Sequence, residues 1–123
     1  MLKLLLIFLG GGLGSVARYL LSKAIAARFE TNFSWGTLTV NVFGCFLIGI
    51  IISVIERGRF HSNWSLLFVT GFCGGFTTFS TFAYENHLLW RNEDYLIAFV
   101  YTFLSLFWGF AAAFLGIFLV KNL

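Results

Sequence analysis

Between Gly71 and Phe82 the chain reads Gly-Phe-Cys-Gly-Gly-Phe-Thr-Thr-Phe-Ser-Thr-Phe, which puts three glycines and four hydroxyl residues inside an apolar run long enough to cross a bilayer. Hydrocarbon offers a backbone amide or carbonyl nothing to bond. Irregular backbone survives there only where it is buried in protein or lines a wet path. The stretch therefore predicts a transmembrane helix broken in its middle, and it marks the working site. Gly74 and Gly75 each weaken a helix by roughly 1 kcal/mol relative to alanine, which predicts a break just before Thr77. Thr77 or Thr78 is placed to cap the second half. The two half-helices would then face the break with opposite partial charges, free carbonyls on one side and free amides on the other, an arrangement that binds ions of either sign.

The rest of the composition agrees with a membrane setting. Of 123 residues, 59% are hydrophobic and only 11% charged, a balance that would aggregate as a soluble domain of this size. The net charge of +3 does not point to nucleic acid, because the eight basic residues lie singly or in pairs and form no stripe. With no proline and no linker-like tract, residues 1–123 read as a single transmembrane domain. The first apolar run continues past Arg18 without a small-residue cleavage site and reads as a span, not a leader. Cys45 and Cys73 fall in apolar segments and read as small buried hydrophobes.

Four spans follow from the apolar runs, at about 4–26, 36–55, 64–84 and 95–120, giving an all-α, four-helix membrane protein with a broken third helix. In the first, Gly10 and Gly14 form a small-xxx-small pair that lets a neighbouring helix approach closely. Arg18, inside the same span, either pairs or snorkels, or else draws anions into a vestibule. In the second, Thr37 and Asn41 are four apart and share a face. Asn41 needs a partner in hydrocarbon, either as interhelical glue or as a donor facing an ion. Phe79 and Phe82 share a face of the second half of the broken helix. They are either packing or a pair of ring edges, each with the positive part of its quadrupole turned to a small anion, with Ser80 and Thr81 supplying hydroxyls beside them. Glu85 is expected to end the third span, with a polar loop running on through His87, Arg91, Glu93 and Asp94. Tyr101 and Ser105 share a line on the fourth span that Gly109 continues.

Charge leaves the orientation undecided. With Arg18 left out as lying within a span, Lys3, Arg57, Arg59 and Lys121 fall on one side, and Lys23, Arg28 and Arg91 on the other. So even a split predicts a chain that inserts both ways and pairs as an antiparallel homodimer. A small proton-coupled drug exporter has the same outline but needs a carboxylate within the membrane, and none lies inside the first, second or fourth span. A non-transporting assembly subunit is the other alternative. No metal-ligand cluster, nucleophile beside a base or phosphate loop points to an enzyme.

The run Gly74-Gly75-Phe76-Thr77-Thr78-Phe79-Ser80-Thr81-Phe82 resembles the signature of the Fluc (CrcB) fluoride channel family. The resemblance extends to the glycine-rich first helix ending in Arg18-Tyr19, to Val40-Asn41 with Gly44, and to the four-span length. It implies an antiparallel, dual-topology homodimer in the bacterial cytoplasmic (inner) membrane, with two pores exporting fluoride passively and so relieving its toxicity. Phe79 and Phe82 would line each pore, with Asn41 meeting the ion beside them. It also implies a structural sodium ion on the dimer axis, held by the backbone carbonyls of Gly74 and Thr77 from both subunits. Arg18 resembles the family's basic residue near the vestibule, Thr37 and Glu85 members of a polar network, and Tyr101 with Ser105 a polar track.

Overall fold

The computed structural model describes Met1–Leu123 and is helical throughout. Helix α1 spans Leu2–Ala26 and α2 spans Trp35–Glu56. The third crossing is assembled from pieces: α3 (Ser62–Ser65), a π-helical segment (Leu66–Cys73), a final turn α4 (Gly74–Phe76), two extended residues, and α5 (Phe79–Arg91). Helix α6 spans Tyr95–Lys121. Four of these units are long and apolar enough to cross a membrane. The shortest has 22 residues, about 33 Å at 1.5 Å per residue and so enough for the hydrocarbon core.

The spans associate through small residues because lipid tails remove the hydrophobic drive that packs helices in water. Along the α1 seam Gly10 and Gly14 face the third crossing, and Gly71 and Gly75 face back. A Cβ on Gly10 would collide with the Leu67 carbonyl oxygen, one on Gly14 with that of Phe72, and one on Gly75 with that of Gly11. Backbone therefore lies directly on backbone. The π-helical widening of Leu66–Cys73 coincides with this seam, and such segments recur at functional sites. A regular helix was the expectation, and nothing in the apolar pattern distinguishes the two. On the opposite side, Gly49 and Gly116 bring α2 and α6 together over the carbonyls of Ala113 and Phe46.

The third crossing ends later than its polarity implied. Helix α5 runs on to Arg91, so Glu85, His87 and Arg91 are helical and the loop to α6 is only residues 92–94, with Glu93 in the left-handed region at φ 61°. The reason is tertiary: the Glu85 carboxylate accepts hydrogen bonds from Thr37 on α2 and Tyr101 on α6, so it is held within the bundle and does not end the helix. Arg91 closes the last turn of α5, where a cation meets the negative end of the helix dipole.

Only 19 of the 123 residues are buried, and large side chains such as Phe8, Phe99 and Phe114 point outward. In water that surface would be untenable. In a membrane it is the face offered to lipid or to a second copy.

The α1 seam makes a paired prediction. Gly14→Ala drives a methyl into the Phe72 carbonyl and should destabilise the fold by about 1–3 kcal/mol. Gly12→Ala, with nothing within 4 Å, should be neutral or stabilising by up to roughly 1 kcal/mol. Thermal unfolding in detergent measures both, and equal midpoints for the two variants would contradict the seam.

Candidate functional site

At the break, Thr77 (φ −82°, ψ 154°) and Thr78 (φ −149°, ψ 115°) are extended. Their lost helical bonds are replaced by side chains. The Asn41 amide nitrogen Nδ2 donates to the Thr78 carbonyl at 3.1 Å, while the Thr78 amide donates to Asn41 Oδ1 at 2.8 Å. One side chain on α2 thus takes both polar groups of one residue. The Thr78 hydroxyl accepts from the Thr81 amide at 3.2 Å and caps α5. The hydroxyl and amide of Thr77 both donate to the Cys73 carbonyl, at 2.9 and 3.0 Å. Gly44 faces the Thr77 methyl, and the position would not admit a Cβ.

The first half-helix is closed off from α1. The Gly75 carbonyl accepts from Arg18 Nε at 3.0 Å and from the Ser15 hydroxyl at 3.5 Å. A guanidinium at a helix C-terminal end also meets the negative end of its dipole. Other groups at the break are free: the carbonyls of Gly74 and Thr77 accept no hydrogen bond within the chain, and the amides of Phe79 and Ser80 donate none. Two unpaired carbonyls three residues apart, on either side of the last turn of the first half-helix, are hard oxygen donors of the kind a small cation takes.

An open groove of about 350 Å³ runs beside the break, lined by Asn41, Gly74, Thr77, Phe79, Phe82 and Ser105 among others. The rings of Phe79 and Phe82 lie 5.7 Å apart at 44°, and Phe82 meets Tyr101 edge-on at 5.1 Å and 76°. Phe79 is 79% exposed on the single chain, so this side of the groove lacks a wall. The Ser105 hydroxyl is buried without a hydrogen-bond partner, and Asn41 uses one of its two amide hydrogens on Thr78, so a donor remains on each. Ring edges, one hydroxyl and one amide hydrogen can together stand in for part of a small anion's hydration shell.

A second cavity, of about 490 Å³, opens at the α1–α2 loop and reaches Thr37, Thr81 and Glu85. Thr37 Oγ1 donates to Glu85 at 2.6 Å and the Tyr101 hydroxyl donates to its other oxygen at 2.9 Å, tying α2, α5 and α6 through one carboxylate. Phe82 lines the groove and makes its edge contact on Tyr101, the residue whose hydroxyl donates to Glu85.

The sequence candidates therefore fall into two groups. Phe79, Phe82, Asn41, Ser105, Gly74 and Thr77 come together on the groove, and Thr37, Thr81 and Glu85 on the polar cavity. Tyr101 is fully buried and lines neither space, and the exposed Ser80 hydroxyl lies 3.3 Å from that of Thr78. Arg18 lines neither space and is spent on Gly75. Sequence reasoning missed the central part Thr78 plays as Asn41's partner, and it missed Asn86, which donates to the Phe82 carbonyl and accepts from Thr102. The signal for Thr78 was its place directly after the glycine break; Asn86 left none.

Comparison with known proteins covers the same residues. A family model described as "CrcB-like protein, Camphor Resistance (CrcB)" matches residues 5–117. A protein of Gloeothece citriformis named "Fluoride-specific ion channel FluC" is 57% identical over 122 residues, covering 99% of each chain. Proteins with the same name from Phocaeicola vulgatus (46% identical; 95% of this chain, 97% of the relative) and Leptospira interrogans (42%; 98% and 95%) align almost end to end. With its glycine seam and broken third crossing inside the matched region, and its first and fourth spans overrunning that region by only a few residues, the chain belongs to the CrcB family.

Proposed function

We propose that this protein is a fluoride-selective ion channel of the bacterial cytoplasmic membrane, passing fluoride passively down its gradient. The observation that carries the reading is the groove at the break, where Phe79, Phe82, Asn41 and Ser105 converge in a chain similar over its whole length to proteins named fluoride-specific channels. Fluoride is small and holds water tightly, so its path must offer donors without holding it long. The free amide hydrogen of Asn41 and the unpartnered Ser105 hydroxyl supply such donors at the groove, with the Thr81 hydroxyl at the polar cavity and the exposed Ser80 hydroxyl beside Thr78. The edges of Phe79 and Phe82 add weak, non-trapping attraction. Ion movement of this kind makes no covalent bond, and the channel family is not a family of enzymes.

The functional unit in this reading is an antiparallel homodimer with two pores. The open groove and the exposed Phe79 support it, because a second copy laid against the break would supply the missing wall. A structural sodium ion fits the same break: the free carbonyls of Gly74 and Thr77 would hold it together with their partner-subunit counterparts, and its charge would offset the like-facing dipoles. A proton-coupled drug exporter would need a carboxylate free to exchange protons with its cargo, whereas both oxygens of Glu85 are engaged.

Liposomes holding only this protein should lose fluoride quickly and chloride negligibly, as read by ion-selective electrodes. Equal loss of both ions would refute the selectivity, and no fluoride loss from well-folded protein would refute the channel. Phe79→Ile and Phe82→Ile should each slow fluoride efflux by roughly tenfold or more, equivalent to about 1.4 kcal/mol on the barrier, without changing the elution volume of the dimer. Asn41→Leu should do at least as much and also lower the melting temperature, because it orphans both polar groups of Thr78. Cys45→Ala should leave efflux unchanged. Replacing all sodium by N-methylglucamine should weaken the dimer on size exclusion, and an unchanged profile would remove sodium from the assembly.

A further inference from the structure

Within this channel reading, the polar cavity needs a cation, because the one formal charge at its inner end is the carboxylate of Glu85. With no cation beside it, that carboxylate would repel an approaching fluoride ion. Arg18 was the sequence candidate for drawing anions in, yet it does not line this space, its Nε donating to the Gly75 carbonyl at the break. Lys23 does. It stands in the last turn of α1, one turn beyond Tyr19, and both residues line the cavity together with Ser22 and Thr31. The Lys23 ammonium lies 3.4 Å from the Tyr19 hydroxyl and 5.5 Å from the centre of its ring. A cation held by a neutral hydroxyl is positioned without being neutralised. No carboxylate pairs with it, so its charge remains available to the cavity.

We propose that Lys23 is the anion-collecting residue at the mouth of the polar cavity, offsetting Glu85 and concentrating fluoride ahead of Thr37 and Thr81. Tyr19 positions the ammonium there. The size of the effect follows from Coulomb's law: a unit charge about 7 Å from the ion's path in water raises the local anion concentration about threefold. The field is exposed to solvent, so salt removes it. The Debye length shrinks from about 30 Å at 0.01 M to about 3 Å at 1 M. A purely structural lysine, one that anchors α1 at the membrane surface, would show no such dependence.

The test is single-channel fluoride current in bilayers at low fluoride, with ionic strength set by a large impermeant organic salt. At about 0.01 M, Lys23→Gln should reduce the current about threefold and Lys23→Glu further, while Lys23→Arg keeps it. At about 1 M all four proteins should conduct alike. A Lys23→Gln deficit that is the same at both ionic strengths, or no deficit at either, would overturn the proposal. Absence of fluoride current in the unsubstituted protein would instead strike at the channel reading itself, so the two failures are distinct. Circular dichroism and elution volume of Lys23→Gln confirm that the comparison is between folded proteins.

Discussion

The two-way hydrogen bond between Asn41 and Thr78 is the interaction on which the site depends. A helix that stops in mid-membrane exposes amides and carbonyls that hydrocarbon cannot satisfy, at several kcal/mol each. Asn41 has one acceptor and two donors at the end of a short, stiff side chain, and it spends one of each on Thr78. With that residue held extended, the Thr78 hydroxyl can cap α5, and the second half-helix begins where its first amides face the groove. Arg18 and Ser15 do the complementary task on the first half, taking the Gly75 carbonyl. What is left unpaired, at Gly74 and Thr77 and at Phe79 and Ser80, is the polar surface available to ions.

Three further links hold this arrangement in register. The glycine seam between α1 and the third crossing places Arg18 within reach of the break, since neither would approach if Gly10, Gly14 or Gly75 carried a side chain. The close packing of α2 on α6 brings Asn41 and Ser105 to the same groove. Glu85 then joins α2, α5 and α6 by two short hydrogen bonds, which in a bundle without a hydrophobic drive act as cross-braces. The irregular backbone is held from both sides, Thr78 by Asn41 of α2 and Thr77 by the Cys73 carbonyl of its own first half-helix.

Much of this was legible from residue types and spacing. The break was readable because two adjacent glycines followed by hydroxyl residues have few uses inside an apolar span. The shared face of Thr37 and Asn41 was readable because a helix repeats every 3.6 residues, and both side chains do turn to the third crossing. Thr78 proved to be the cap, one of the two threonines that the capping preference allowed. The position of Glu85 was misjudged because a carboxylate in an otherwise apolar run reads as a boundary unless its partners are known. Those partners lie 48 and 16 residues away in the chain. The π-helical segment left no mark either, since its apolar side chains suit an α-helix equally well.

The sequence by itself determined that the chain crosses a membrane four times, that the third crossing breaks just after Gly74–Gly75, and which aromatic and polar residues attend the break. Those properties follow from local composition and from the single solvent that such a composition tolerates. Tertiary structure alone decided which partner each polar group takes: Asn41 on Thr78, Arg18 on Gly75, Glu85 between Thr37 and Tyr101, Lys23 over Tyr19 at the polar cavity. Hydrogen bonds reach only about 3 Å, so their assignment waits on how closely the glycines let the helices approach, and that distance is set between spans, not within them.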